Sequence, residues 1–188
     1  MSESAYIVVV QQYDSITKMI RKFLGDTPNR IDYFGSPSDA LETILKNIAT
    51  SGFPDVVITG EKFYIRNFDR KPEAEPEVER SLEFFAGGSM ESIPLKYRKP
   101  EKNPATGGEF AMAVHEIKPA ALVLRYSVDA EEDQLKYGIN GDVPKEGSLD
   151  PILGLLRDGE LKRVVQEKRW DEMKARHPHI KFYDNMPE

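Results

Sequence analysis

The residues able to do chemistry lie mainly where apolar runs end. Gln11 and Gln12 follow one such run, Gly60 and Glu61 a second, Tyr126 and Ser127 a third, and Lys145 a fourth. In an open sheet the carboxyl ends of the strands border the crevice where ligands bind. Gln11, Gln12, Glu61 and Lys145 would be polar contacts there. Other chemistries are poorly served. The chain has no cysteine, which removes disulfides, thiolate metal sites and cysteine nucleophiles. His177-Pro178-His179 offers two metal ligands without a third and reads as a solvated tail. His115 reads as a surface or boundary side chain rather than a base. Gly87-Gly88-Ser89 and Gly107-Gly108-Glu109 lack the spaced glycines and following Lys-Ser/Thr of a phosphate loop.

These residues need strands and helices to position them. Ala5–Val10 is a β-branched run without polar alternation, as expected of a strand buried on both faces in a parallel sheet. Ile16, Met19, Ile20, Phe23 and Leu24 form a helical stripe, with Asp14 or Ser15 as cap and Gly25 as stop. Arg30–Phe34 reads as a strand, Leu41, Ile44, Leu45 and Ile48 as a second helix, and Pro54–Thr59 as a third strand. The rhythm breaks at Gly60. It resumes with a helix through Phe110, Ala113, Val114 and Ile117 that Pro119 ends, then a strand at Ala121–Leu124. A short helix over Asp129–Tyr137, a weak strand over Asn140–Val143 and a helix through Leu149, Ile152, Leu153 and Leu156 complete the series. Such β-α units with right-handed crossovers make a doubly wound α/β sheet.

The order of these pieces resembles the receiver domain of bacterial response regulators, over roughly 5–60 and 107–157. Ile7–Ile16 resembles the first strand and its loop, and Pro54–Gly60 the strand that ends on the phosphoacceptor. Gly108–Pro119 resembles the third helix and its exit, and Gly138–Lys145 the fifth strand with its lysine turn. The resemblance implies a three-layer, flavodoxin-like fold with a five-stranded parallel sheet in the order 2-1-3-4-5. It also implies a Mg²⁺ site of carboxylates, since Mg²⁺ is a hard ion, around an aspartate that accepts a phosphoryl group. Here the acidic pair aligns with Gln11 and Gln12, and the phosphoacceptor with Gly60. The hydroxyl position falls at Tyr126 or Ser127, and Lys145 matches the lysine, paired with Glu61 or solvated. The aromatic switch position aligns with Asp142. The resemblance therefore implies a pseudo-receiver, a non-enzymatic module with no metal or cofactor, acting in signal transduction through a protein partner. The family's partner face carries over to Leu135, Tyr137, Asn140, Asp142 and Lys145. The alternative is a small-molecule sensor or enzyme using the strand-end crevice, with the insertion as a lid.

Residues 62–106 interrupt the domain with an acidic run and then a basic patch, Lys96, Arg98, Lys99 and Lys102. The expected organisation is a receiver-like domain over 1–157 carrying this insertion, then a helical extension and tail over 158–188. Alternating charges over 157–176 suit a long solvated helix. Its apolar edge, Trp170 and Met173, either packs on the domain or offers a homodimer or partner surface. The net charge of −6 disfavours direct binding to nucleic acid. The longest clean apolar run, Ala5–Val10, is far short of the roughly 20 residues of a membrane span. The N-terminus lacks the pattern of a secretory signal. Together with the absence of cysteine this suits a cytoplasmic protein.

Overall fold

The computed structural model describes residues 4–61, 63, 106–127, 137–145 and 147–188. Chain order begins β1 (Tyr6–Val10), α1 (Asp14–Leu24), β2 (Arg30–Phe34), α2 (Pro37–Ser51) and β3 (Val56–Thr59). It continues with α3 (Gly107–Ile117), β4 (Leu122–Ser127), β5 (Gly141–Pro144), α4 (Asp150–Arg157), α5 (Leu161–Gln166), α6 (Trp170–Arg176) and β6 (Lys181–Phe182). The strands form one sheet in the order β2-β1-β3-β4-β5-β6. Its first five strands pair in parallel in the expected order, and the sixth runs antiparallel to β5, with Gly141 opposite Phe182 and Asp142 opposite Lys181.

Continuous apolar strands bury both faces of the sheet, and the pleat sends alternate residues to opposite sides. Ile7, Val9, Val56, Ile58, Leu122 and Leu124 meet Ile20, Leu24, Ile152, Leu156 and Met173 on one face. Val8, Val10, Val57 and Val123 meet Ala40, Ile44, Phe110 and Val114 on the other. The result is the doubly wound, three-layer α/β architecture.

Local details differ from expectation. The helix starts at Asp14 with Tyr13 as N-cap and no side-chain capping bond. Asp14 instead pairs with Lys18 one turn on, at 2.5 Å. The apolar stripe of α1 is wider than its buried face. Ile20 and Leu24 are buried, whereas Met19 and Phe23 are 43% and 52% exposed. The fourth strand runs on to Ser127, so Tyr126 and Ser127 belong to β4 and not to the loop after it. The expected helix at Asp129–Tyr137 lies outside the described residues, apart from Tyr137.

The largest correction concerns the C-terminal part. There is no long solvated helix over 157–176 but a succession of short ones. Asp158 caps the turn after α4, accepting from the Glu160 N–H at 3.0 Å. Lys168 takes a left-handed φ of 54° and ends the run after α5. Leu161, Val164, Met173 and Ile180 then fold into the same core as β1, β3 and β4. Residues 158–188 are thus continuous with the domain. Met173 is fully buried and Trp170 packs against the core, so of the two expected fates this edge takes packing on the domain. His177 is also not in a solvated tail: it is 8% exposed and its Nε2 lies 2.9 Å from Asp158 Oδ2.

Candidate functional site

The strand-end crevice is built by the ends of β1, β3, β4 and β5 and the start of α3. Gln11 leaves β1 with its backbone N–H bonded to Phe34 O at 2.9 Å, which holds it in register beside β2. Gly60 extends β3 by one more rung, its N–H on Val10 O at 2.9 Å. These two bonds put Gln11 and Gly60 side by side. The Gln11 side chain is 3% exposed and lies over the Gly60 Cα. A Cβ at Gly60 would sit 3.2 Å from Gln11 Nε2 and 3.4 Å from Oε1. The carboxamide therefore packs tightly against the position a side chain at 60 would take.

The start of α3 closes the crevice from above. The Gly107 N–H donates to Glu61 O at 2.9 Å. A Cβ on Gly107 would lie 2.1 Å from Gly60 O, a distance no side chain tolerates. Gly108 faces the Tyr137 ring, which a Cβ would meet at 2.6 Å. The Gly107-Gly108 pair is a close-packing device, not a phosphate loop. Thr106 caps the helix by accepting from Glu109 N–H at 3.1 Å.

Lys145 is anchored by its N–H to Ser127 O at 2.9 Å. Its side chain is half-buried. Among the described residues no ion pair joins it to Glu61. Its Nζ instead lies 5.6 Å from the Tyr13 ring centre and 5.8 Å from that of Tyr126, within cation–π range. Tyr126 is 2% exposed and burial raises its phenol pKa. Ser127 is buried as well, while Gln12 and Glu61 are half-buried. Gln11 Nε2 is a buried donor with no hydrogen-bond partner among the described residues. Donors of this kind usually find one.

A hard divalent ion does not suit this set. Gln11 and Gln12 supply neutral carbonyls, Gly60 supplies nothing, and Glu61 is the one carboxylate aligned with the site. Asp14 is on the solvent side with Lys18. Asp55 is at the other end of β3, accepting from Tyr6 N–H at 2.9 Å and from Gln166 Nε2 at 3.2 Å. No cluster of three or more metal-ligating side chains occurs among the described residues.

The expected partner face is corrected by the tail. Asn140 and Asp142 are 2% and 4% exposed. The Asn140 side chain accepts from Val123 N–H at 2.8 Å and donates to Asn185 O at 2.7 Å. Asp142 takes a bidentate bond from Arg125, at 2.6 and 3.1 Å, and a further one from the Tyr183 hydroxyl. With β6 paired along β5 and Asn185 bonded to Ile139 O at 3.0 Å, the tail takes up Asn140 and Asp142 within the chain. Tyr137 is half-buried against Gly108, and Leu135 lies outside the described residues.

Sequence reasoning missed the Arg125–Asp142 pair. Burial opposes the Arg125 charge, but the hydrogen bonds and field of Asp142 outweigh it and raise the guanidinium pKa. The signal was present: two opposite charges interrupt adjacent apolar strands, and β4–β5 pairing puts them opposite each other. Tyr183 was missed too. Burial and the bond to Asp142 push its phenol pKa up.

No family model matches the chain, and no curated protein is similar to it. Solved structures are. A response regulator receiver domain protein from Clostridium thermocellum is 14% identical, with 88% of this chain and 98% of that one covered and a TM-score of 0.48. A CheY-like receiver domain protein from Methanospirillum hungatei JF-1 is 13% identical over 93% of this chain and 98% of that one, with a TM-score of 0.46. The receiver domain of an HD domain-containing protein from Pseudomonas fluorescens Pf-5 is 11% identical over 92% and 98%, also with a TM-score of 0.46. At these identities the likeness assigns no activity.

Proposed function

We propose that this chain is a receiver-like signalling module that works without phosphorylation, by binding another protein in the cytosol, and has no catalytic chemistry of its own. The observation that carries this reading is the Gly60–Gln11 contact. Position 60 has no nucleophile, and a neutral carboxamide fills the space beside it. A phosphoryl acceptor needs a nucleophilic oxygen and neutralisation of the developing charge. At the acceptor position the crevice supplies no oxygen nucleophile, and Lys145 is the cation it keeps among the described residues. What the fold retains is surface. Tyr13, Met19 and Phe23, at the start and along the outer side of α1, are large apolar side chains left exposed.

The test is incubation of the full chain with acetyl phosphate and Mg²⁺, followed by intact-mass analysis. The expected result is no adduct. Stoichiometric, Mg²⁺-dependent labelling that survives Asp14→Ala would sink the proposal. The interaction half is tested by affinity capture, comparing the full chain with one lacking residues 64–105, which keeps the buried Phe63 and the Thr106 cap. Loss of a reproducible protein partner on deletion makes the insertion the interaction lobe.

The unpartnered Gln11 Nε2 favours a second reading, a small-molecule sensor whose ligand accepts that hydrogen bond near Lys145. A ligand that binds the native state alone raises the melting temperature. A thermal-shift screen in which every hit is lost in Gln11→Leu would favour this reading over the first.

A further inference from the structure

We infer that β2 is a self-association edge, along which two copies of this chain pair antiparallel in a register centred on Ile31. This does not depend on the functional reading above. β2 ends the sheet, and among the described residues β1 is its sole strand partner. The Arg30 N–H bonds Ala5 O at 2.8 Å and Phe34 O accepts from Gln11 N–H at 2.9 Å. Backbone groups alternate in direction along a strand, so Arg30, Asp32 and Phe34 face β1. The N–H and C=O groups of Ile31 and Tyr33 therefore face outward, where an added strand would bond them.

This parity limits the antiparallel registers of two copies to those that match outward residues with outward residues. Centred on Asp32, the pairing puts two like charges directly opposite each other, which destabilises a sheet. Centred on Tyr33, it leaves Arg30 beyond the paired strand. Centred on Ile31, it lets Ile31 exchange two backbone bonds with Ile31 of the second copy. It also sets Arg30 opposite Asp32 of the second copy, twice by symmetry. Both charged side chains stand on the Tyr6 and Val8 face of the sheet and are accessible, at 45% and 30% exposure. Within one chain they already meet at 2.9 Å, so they share the reach and side that a cross-strand pair needs.

Sedimentation analysis of the full chain at high micromolar concentration tests this. The expected mass is twice the 21.4 kDa of one chain. Arg30→Asp alone and Asp32→Arg alone each make like charges meet across the edge, weakening association about tenfold or more. Mixing the two variants should restore dimers, as heterodimers only, because each then presents the charge the other lacks. The mixture separates edge pairing from any effect of the intrachain Arg30–Asp32 bond, which mixing cannot repair. A wild-type chain that stays monomeric overturns the inference. So does a dimer indifferent to the single reversals, or a mixture that stays monomeric.

Discussion

At the scale of single residues, the crevice rests on two glycines that cannot acquire a side chain on equal terms. Gly107→Ala drives a Cβ against a backbone oxygen and should cost about 2–3 kcal/mol, within the range for overpacking. Gly108→Ala meets a ring that can move, and should cost less. Urea midpoints of the two variants check the order. A second residue, Asp158, makes stability depend on pH. Burial opposes the charge of Asp158, but bonds from His177, Arg176 and the Glu160 N–H outweigh it and hold its carboxyl well below the usual carboxylate range. In the unfolded chain an aspartate titrates near 4. Its contribution is therefore complete above about pH 5 and is lost as pH falls. Asp158→Asn should cost about 3 kcal/mol at neutral pH and flatten the loss of stability between about pH 5 and 2. Denaturant titrations at several pH values measure both. Much of the crevice was legible. Gly60 ends an apolar run, and Lys145 follows a weak strand. That Gln11 fills the place beside Gly60 was not legible, because it depends on a distance between two strands. Nor does residue spacing reveal that the lysine settles over Tyr13 and Tyr126.

Among elements, the C-terminal strap is held by several hydrogen bonds for its short length. The two paired residues of β6 close the β5 edge, and Tyr183 and Asn185 tie the tail to Asp142, Asn140 and Ile139. The Trp170 indole N–H donates to Pro187 O at 3.0 Å and fixes the far end. Tyr183→Phe removes a bond to a charged group and should cost about 1.5–3 kcal/mol. Deleting 180–188 should cost more, since it also exposes the apolar surface that Ile180 buries. Hydrogen exchange at Gly141–Val143 would rise sharply in the deletion and slightly in Tyr183→Phe. Equal exchange in both would mean that the tail contributes only through the tyrosine. This strap was hidden from sequence reading because two residues between prolines and charges carry no periodic signal. The long-helix expectation failed for a related reason. Alternating charges mark a solvated face, but they do not show where Asp158 and Lys168 turn the chain.

Across the whole molecule, the alternation of apolar strands and amphipathic helices was enough to read a doubly wound parallel sheet, while the strand order came from the resemblance to receiver domains. Continuous, β-branched runs such as Tyr6–Val10 point to strands covered on both faces. How the last thirty or so residues join the core was not readable, because their contacts are remote. Asn29 shows the scale: it accepts from Ala5 N–H at 3.0 Å and donates to Leu156 O at 3.0 Å and Asp158 O at 2.9 Å. The Gly107–Glu61 backbone bond has a consequence for engineering. The chain leaves the sheet at Glu61 and returns at Gly107 through one hydrogen bond of 2.9 Å, so the intervening residues begin and end at nearly the same point. Closing a loop costs free energy only as the logarithm of its length. The junction is therefore a ready graft point. A short linker in place of 64–105, which spares the buried Phe63 and the Thr106 cap, should leave the sheet intact and gain about 1–2 kcal/mol, and a foreign domain with adjacent termini could be spliced there without disturbing the crevice below it.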